Sequence, residues 1–281
     1  MDLSGKTFVI TGANTGIGKI TARELAKRGA HVILACRSRD KTEAAIAEIK
    51  RDIADANVEF VPLDLGDLAS VRSCANDLLA RNIPIHGLVN NAGLAGQRGT
   101  TKDGFEIQFG TNHLGHYLLT RMLLDRIKQT QGARIVNVAS ASHYQAKQID
   151  WDALRKPTRT TTAMQEYGVS KLSNVLFTKE LARRLEGSGV TTYALHPGVV
   201  ATDVWRRFPR PVRWVIKKFM VTPEQGAQTT LRCATAPDLA NVTGRYYDRD
   251  GSEKRPSRLA DDPELAKQLW TKSAEWTGLP L

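Results

Sequence analysis

Short runs rich in β-branched residues alternate along this chain with longer stretches of helical period, a pattern that leads to a parallel sheet covered on both faces. The runs are Thr7 to Ile10, His31 to Ala35, Val58 to Leu63, Gly87 to Asn90, Arg134 to Val138, Thr191 to Leu195 and Gly244 to Tyr247. Helical patterns begin near Gly16, Lys41, Leu68, Thr111, Gln165 and Pro223. Parallel neighbours need a long crossover, and a helix usually provides it. The seven runs therefore fit an α/β fold with one doubly wound parallel sheet and helices on both faces. No Gly/Ser-rich or proline-rich linker interrupts residues 1–281, so a single domain is expected.

At 41% hydrophobic and 25% charged residues, the composition excludes disordered and fibrous classes. The longest apolar runs, such as Val32 to Cys36, are about five residues, far short of the roughly 18 that cross a bilayer. Met1-Asp2-Leu3-Ser4-Gly5 carries no basic leader, so no secretory signal is expected and a cytoplasmic location is. Cys36, Cys74 and Cys233 are odd in number and widely spaced, which suits reduced core residues. Lys and Arg outnumber acids 40 to 29, for a net charge of +11. Six of these bases, Arg206, Arg207, Arg210, Arg213, Lys217 and Lys218, cluster with no acid between Val204 and Val221. Such a local patch suits a phosphorylated cofactor or an anionic membrane surface; nucleic acid, which favours a long stripe with interleaved aromatics, is not expected.

The first strand runs into Thr11-Gly12-Ala13-Asn14-Thr15-Gly16-Ile17-Gly18 and then a helix. Glycines at these positions permit a tight turn and close approach of backbone to a pyrophosphate at the helix N-terminus. Gly12, Asn14, Thr15, Gly16, Ile17 and Gly18 are therefore candidate cofactor contacts, although a ligand-free turn also fits the pattern. After the second strand, where an acid would meet a ribose 2′-hydroxyl, stand Arg37 and Arg39. A guanidinium suits a 2′-phosphate, so NADP(H) is the expected cofactor; a solvated basic loop is the alternative. Asp64 and Leu65 follow the third strand, where Asp64 either accepts from an adenine amino group or caps the helix from Leu68. Asn90 suits a role inside the sheet, and Asn91, Ala92 and Gly93 let backbone approach the cofactor.

Tyr167 and Lys171 stand four apart on a helical segment and so share a face. A free phenol titrates near pH 10, but a neighbouring ammonium and a positive nicotinamide favour its phenolate, so the Tyr167 pKa is expected to fall. Such a phenol donates a proton to a carbonyl being reduced and takes one back from an alcohol being oxidised.

TGANTGIG, NNAG, Thr111-Asn112-His113, a serine after the fifth strand, Tyr167-Gly168-Val169-Ser170-Lys171 and His196-Pro197-Gly198 occur in this order over residues 4 to about 247. In this the chain resembles the short-chain dehydrogenase/reductase family. Asp103 to His116 and Lys171 to Phe177 look like its retinol dehydrogenase and protochlorophyllide reductase branch. The resemblance implies a Rossmann fold and an NADP(H)-dependent oxidoreductase that moves a hydride between nicotinamide and a lipophilic aldehyde, ketone or alcohol. It implies Tyr167 as the acid-base group, Lys171 on the nicotinamide ribose, Ser140 orienting the carbonyl with Ser142 as rival, and Asn112 placing a water. Pro197 and Gly198 turn toward the cofactor, with Thr202 near the carboxamide. Helices near Thr111 and Gln165 resemble those that pair subunits, which implies a homo-oligomer.

Two segments depart from the family core and are expected to frame the substrate: the long loop from Ser140 to Tyr167, containing Trp151 and the Thr158 to Thr162 cluster, and Asp203 to Val221. In the second, Pro211 suits a helix start, and Val212, Val215, Ile216 and Phe219 share a face, with Trp205 and Phe208 extending it. This reads as a lid whose basic exterior contacts an anionic membrane, or as a helix packed on the core. His113, His116 and His143 lack the further ligands of a metal site. Two other function classes remain: a related epimerase or dehydratase, which shares the Tyr/Lys pair, and a regulator that binds NADPH without turnover. The NNAG motif weighs against the first and the complete Asn, Ser, Tyr and Lys set against the second.

Overall fold

The computed structural model describes residues 1–198 and 221–281. Seven strands form one parallel sheet: β1 (Thr7–Thr11), β2 (His31–Cys36), β3 (Val58–Pro62), β4 (Gly87–Asn90), β5 (Arg134–Val138), β6 (Thr191–Leu195) and β7 (Arg245–Tyr247), in the order β3-β2-β1-β4-β5-β6-β7. The helices that bear on the site are α1 (Gly16–Ala26), α2 (Arg39–Asp52), α3 (Leu68–Ala80), α4 (Gly115–Lys128), α5 (Met164–Arg184), α6 (Pro223–Thr235) and α7 (Pro263–Thr277). Every residue of β1, β5 and β6 is buried, as a sheet with both faces covered requires. The period-2 alternation sends Val9, Ile33, Leu88 and Ile135 into one core and Phe8, Ile10, Leu34, Val89 and Val136 into the other. Strand order reverses between β1 and β4, which opens a crevice at the carboxyl ends of the strands.

The strands fall within a residue of the expected bounds, and the fold class is as expected. Three elements are not legible from periodicity. The helix expected from Thr111 is preceded by a helical turn, Ile107–Phe109, and a π-helical turn, Gly110–Leu114. The helix α7 lies outside the expected helical patterns, although its signals are conventional: Asp262 accepts from the backbone of Glu264 and Leu265, Pro263 occupies the first turn, and Gly278 ends it at φ 62°. Its Trp270 lies 5.2 Å from the Tyr117 ring and 5.9 Å from that of Phe177, with the Arg121 and Arg184 guanidiniums over its indole. Trp276 meets Phe105 and Phe109. Thus α7 covers part of the outer surface of α4 and α5, the helices that the family resemblance links to subunit pairing.

Cys36, Cys74 and Cys233 are buried and unpaired. Among the described residues, no helix is long and apolar enough to cross a membrane. Thr202, and all of Asp203 to Val221 except Val221, lie outside the described residues, and with them the expected lid helix and the basic cluster.

Candidate active site

The turn after β1 is closed by the loop after β4. The Thr11 hydroxyl oxygen accepts from the backbone N–H of Asn91 and of Ala92, each at 2.9 Å. Asn91 Nδ2 donates to the Thr11 carbonyl at 2.8 Å, so its side chain is committed to holding the turn. A Cβ on Gly18 would lie 2.5 Å from Asn91 Nδ2 and 2.6 Å from the Gly12 carbonyl; one on Gly12, at φ +65°, would lie 2.8 Å from Ala92 Cβ. Only glycine allows this packing. Thr15 stands at the N-cap of α1 with no side-chain capping bond, exposed, between half-buried Asn14 and Gly16 at φ +55°. A cradle of this kind, with backbone N–H groups at a helix N-terminus, fits the pyrophosphate of a dinucleotide.

At the ends of β2 and β3, Arg37 is exposed, with Nη1 4.0 Å from Asp64 Oδ2. A surface pair so long contributes little and leaves the guanidinium available to an anion. Arg39 is turned away, paired with Glu43 at 3.1 Å and stacked over the Phe60 ring. The capping alternative for Asp64 is overturned: Asp67 caps α3 by accepting from Ala69 and Ser70, while Asp64 Oδ1 accepts from the Gly66 N–H at 2.9 Å. Leu65 buries its side chain in the core and offers a ligand only backbone. Asn90 is buried as a sheet residue, its Nδ2 donating to Thr120 and Asn137 at 2.9 and 2.8 Å.

At the other end of the crevice, α5 brings Tyr167 and Lys171 under the end of β5. Lys171 is buried, and its Nζ donates to the Val138 carbonyl at 2.9 Å. Burial lowers its pKa to about 8. The Tyr167 phenol is also shifted by burial, upward, with the Ser140 side chain opposing the shift. The expected fall of this pKa is therefore not met by the chain's own groups, because the ammonium is directed at Val138 and desolvation outweighs the Ser140 contact. Of the two serines, it is Ser140 whose side chain lowers the phenol pKa; its Oγ accepts from the Ser142 N–H at 3.1 Å and donates to Ser142 Oγ at 3.3 Å. Gly168 makes this approach possible, since a Cβ there would lie 3.0 Å from the Ser142 carbonyl.

Asn112 joins the group through the π-helical turn. Its Oδ1 accepts from the Leu94 N–H and its Nδ2 donates to the Leu94 carbonyl and to Ser170 Oγ, all at 2.9 Å. A Cβ on Gly93 would lie 3.3 Å from Lys171 Nζ and 3.4 Å from Asn112 Oδ1, so three separate segments converge there. Pro197 and Gly198 are buried just beyond β6, with Gly198 at φ +89°.

Several contacts at the site are not visible in the sequence. His116 links the two ends: its Nδ1 is 2.9 Å from the Asn112 carbonyl and its Nε2 2.8 Å from Thr11 Oγ1. His113 is engaged with Ser273 at 3.0 Å and His143 with Ser140 and Ser257. The long loop before α5 is pinned by buried Glu106, which accepts from Thr158 Oγ1 at 2.5 Å, and by Gln108, which donates to the Ala163 carbonyl at 2.5 Å. Glu166 accepts from the backbone of Arg159 and Thr160. The only signal in the sequence was that Glu106 and Gln108 fall within the family-like segment.

The short chain dehydrogenase family pattern matches residues 6–151. Human retinol dehydrogenase 13 is 45% identical over 289 aligned residues, covering 99% of this chain and 86% of that protein. A crystal structure of an uncharacterized protein from Mycobacterium paratuberculosis is similar at TM-score 0.80 and 36% identity, covering 100% of this chain and 97% of that one. Two further solved structures carry dinucleotides. A gluconate 5-dehydrogenase from Beutenbergia cavernae with bound NADP matches at TM-score 0.72 and 27% identity, over 89% of this chain and 97% of its own. A 3-ketoacyl-(acyl-carrier-protein) reductase from Brucella melitensis complexed with NADH matches at 0.69 and 27%, over 89% and 99%. Motifs, sheet order and similarity agree: the chain belongs to the short chain dehydrogenase family, in its retinol dehydrogenase-like branch, and is an NAD(P)-dependent oxidoreductase acting on CH–OH and C=O groups.

Proposed function

We propose that this oxidoreductase uses NADP(H) and interconverts a lipophilic aldehyde or ketone with its alcohol. The support for the substrate class is the similarity to proteins named retinol dehydrogenases; for the cofactor it is Arg37, with no acid beside it at the end of β2. Gly12, Asn14, Thr15, Gly16, Ile17 and Gly18 would hold the pyrophosphate, Arg37 the 2′-phosphate, and Asp64 and Leu65 the adenine. Ala92, Gly93, Pro197, Gly198 and Thr202 would line the nicotinamide end, with Asn91 keeping the turn in shape. When bound, the dinucleotide supplies or accepts the hydride.

The chain's own groups manage the proton and the carbonyl. Tyr167 donates its phenolic proton to the oxygen of the carbonyl being reduced, and accepts a proton in the reverse direction. Ser140 directs its hydroxyl at the same oxygen, where negative charge develops. Lys171, buried and cationic, holds the ribose hydroxyls; Asn112 places the water that links this lysine to solvent. The observation that carries the reading is the convergence of Tyr167, Lys171 and Asn112 at the end of β5, with Lys171 Nζ 5.6 Å from the centre of the Tyr167 ring and both Lys171 and Asn112 meeting Gly93. NADPH consumption across aldehydes of graded chain length, with NADH in parallel, tests it: turnover rises with chain length, and activity confined to small polar sugars refutes the substrate class.

The basic cluster from Arg206 to Lys218 supports contact with an anionic membrane surface, which cosedimentation with anionic vesicles measures. Subunit pairing, implied by the family resemblance, we place away from the part of α4 and α5 that α7 covers.

A further inference from the structure

We propose that His143 is a positioning residue that sets the peptide carrying Ser140 and fastens it to the segment after β7; this rests on the active-site reading above. His143 is fully buried in the 3-10 turn Ala141–Gln145 that follows Ser140. Its Nδ1 lies 2.7 Å from the Ser140 carbonyl and its Nε2 3.1 Å from the Ser257 backbone nitrogen. A backbone N–H only donates, so Nε2 carries the lone pair and the proton resides on Nδ1, which donates to Ser140. One neutral tautomer therefore serves both partners. Burial lowers the imidazole pKa, which maintains that form.

Both sides of this bridge are fixed. The ring packs against Tyr144 and, edge-on, against Tyr246 at 4.9 Å. Tyr144 donates to the Arg255 carbonyl at 2.6 Å, and the Lys254 N–H donates to the Tyr246 carbonyl at 2.8 Å. Beyond Ser257, the turn Arg258–Asp261 is tied to α5 by an ion pair between Lys179 and Asp261 at 2.6 Å. Residues 253–261 thus form an anchor held by β7 on one side and by α5 on the other. The Ser140 backbone is extended, at φ −167° and ψ 155°, and its carbonyl is the handle that His143 grips. Without the ring Nδ1–H the carbonyl keeps only the His143 backbone N–H, at 3.1 Å, so the peptide is freer to rotate and to displace Oγ, a displacement of the kind that costs a reaction up to about 100-fold.

Three substitutions test this, read by kcat on the fastest aldehyde of the panel and by NADPH Kd from fluorescence. His143→Phe keeps a flat ring and removes both hydrogen bonds; kcat is expected to fall about 10- to 100-fold with Kd unchanged. His143→Gln restores a donor and an acceptor and should recover most of the loss. Ser257→Pro, at a φ of −61° that proline adopts, removes the donor to Nε2 and should lower kcat in the same direction. Wild-type kcat in folded His143→Phe, or a His143→Gln as slow as His143→Phe, overturns the proposal. Should His143→Phe fail to fold, Ser257→Pro decides, and wild-type kcat in it overturns the proposal. Ser140→Ala separates the two readings: if it is dead while His143→Phe is normal, only the positioning role fails; if Ser140→Ala turns over normally, the active-site reading itself fails.

Discussion

Lys171 Nζ lies 2.9 Å from the Val138 carbonyl and 5.6 Å from the centre of the Tyr167 ring, so the end of β5, rather than the phenol, holds the head of the lysine. The phenol can therefore be altered without releasing the lysine. Tyr167→Phe is expected to keep NADPH binding within about twofold while kcat falls about 100- to 10,000-fold, the range of a lost general acid. Fluorescence titration and steady-state turnover check it, and a variant with near-normal kcat would sink the assignment.

Ser140 and Ser142 are two residues apart, but it is the Ser140 side chain that counteracts the upward shift of the phenol pKa. Ser140→Ala should lower kcat about 100- to 1,000-fold, as removal of one oxyanion donor does. Ser142→Ala should lower it less than about tenfold, because Ser142 only supports the Ser140 hydroxyl. The reverse ranking in kcat would exchange the two roles.

Arg37 makes one long ion pair, with Asp64 at 4.0 Å, so its removal disturbs little of the folded chain. Arg37→Ala is expected to raise KM for NADPH about tenfold, the worth of one charge-assisted contact, and to leave KM for NADH unchanged. Equal change for the two cofactors would show that Arg37 does not read the 2′-phosphate.

Burial depresses the pKa of His113 to about 3 and those of His116 and His196 to about 4, and lowers that of His143 as well. The unfolded chain protonates these imidazoles near 6.5, so below that pH it binds more protons than the folded state. Their contribution to stability is complete above about pH 6.5 and is lost as pH falls toward about 4, at roughly 1.4 kcal/mol per histidine per unit. Melting temperature measured from pH 7.5 to 5 should drop continuously below 6.5; a flat profile would show that the histidines are not held neutral.

The strands and the cofactor end were readable because their chemistry is local. Strand period, the Gly12 to Gly18 turn and the four-residue step from Tyr167 to Lys171 are each written in contiguous sequence. What was not readable depends on contacts between distant segments. Nothing near Asn112 announces that its amide bridges Leu94 and Ser170, nor that His116 reaches Thr11, 105 residues away. The part that Lys171 plays in the Tyr167 pKa is hidden for the same reason: spacing places a cation nearby, and only the fold shows that it faces Val138. The α7 helix is a different case, since Asp262, Pro263 and Gly278 mark its ends in plain view.

The position of α7 also bears on how the enzyme is made. A ribosome delivers β1 through α5 long before Trp270 and Trp276 emerge, so the aromatic rings of Phe109, Tyr117 and Phe177 must wait for their partners. Until then the backing of the π-helical turn and of the Tyr167 helix stays wet, and a nascent chain stalled before Pro263 exposes a greasy patch that chaperones would recognise. The packing behind the two helices that carry the site is in this sense completed only once α7 has been made.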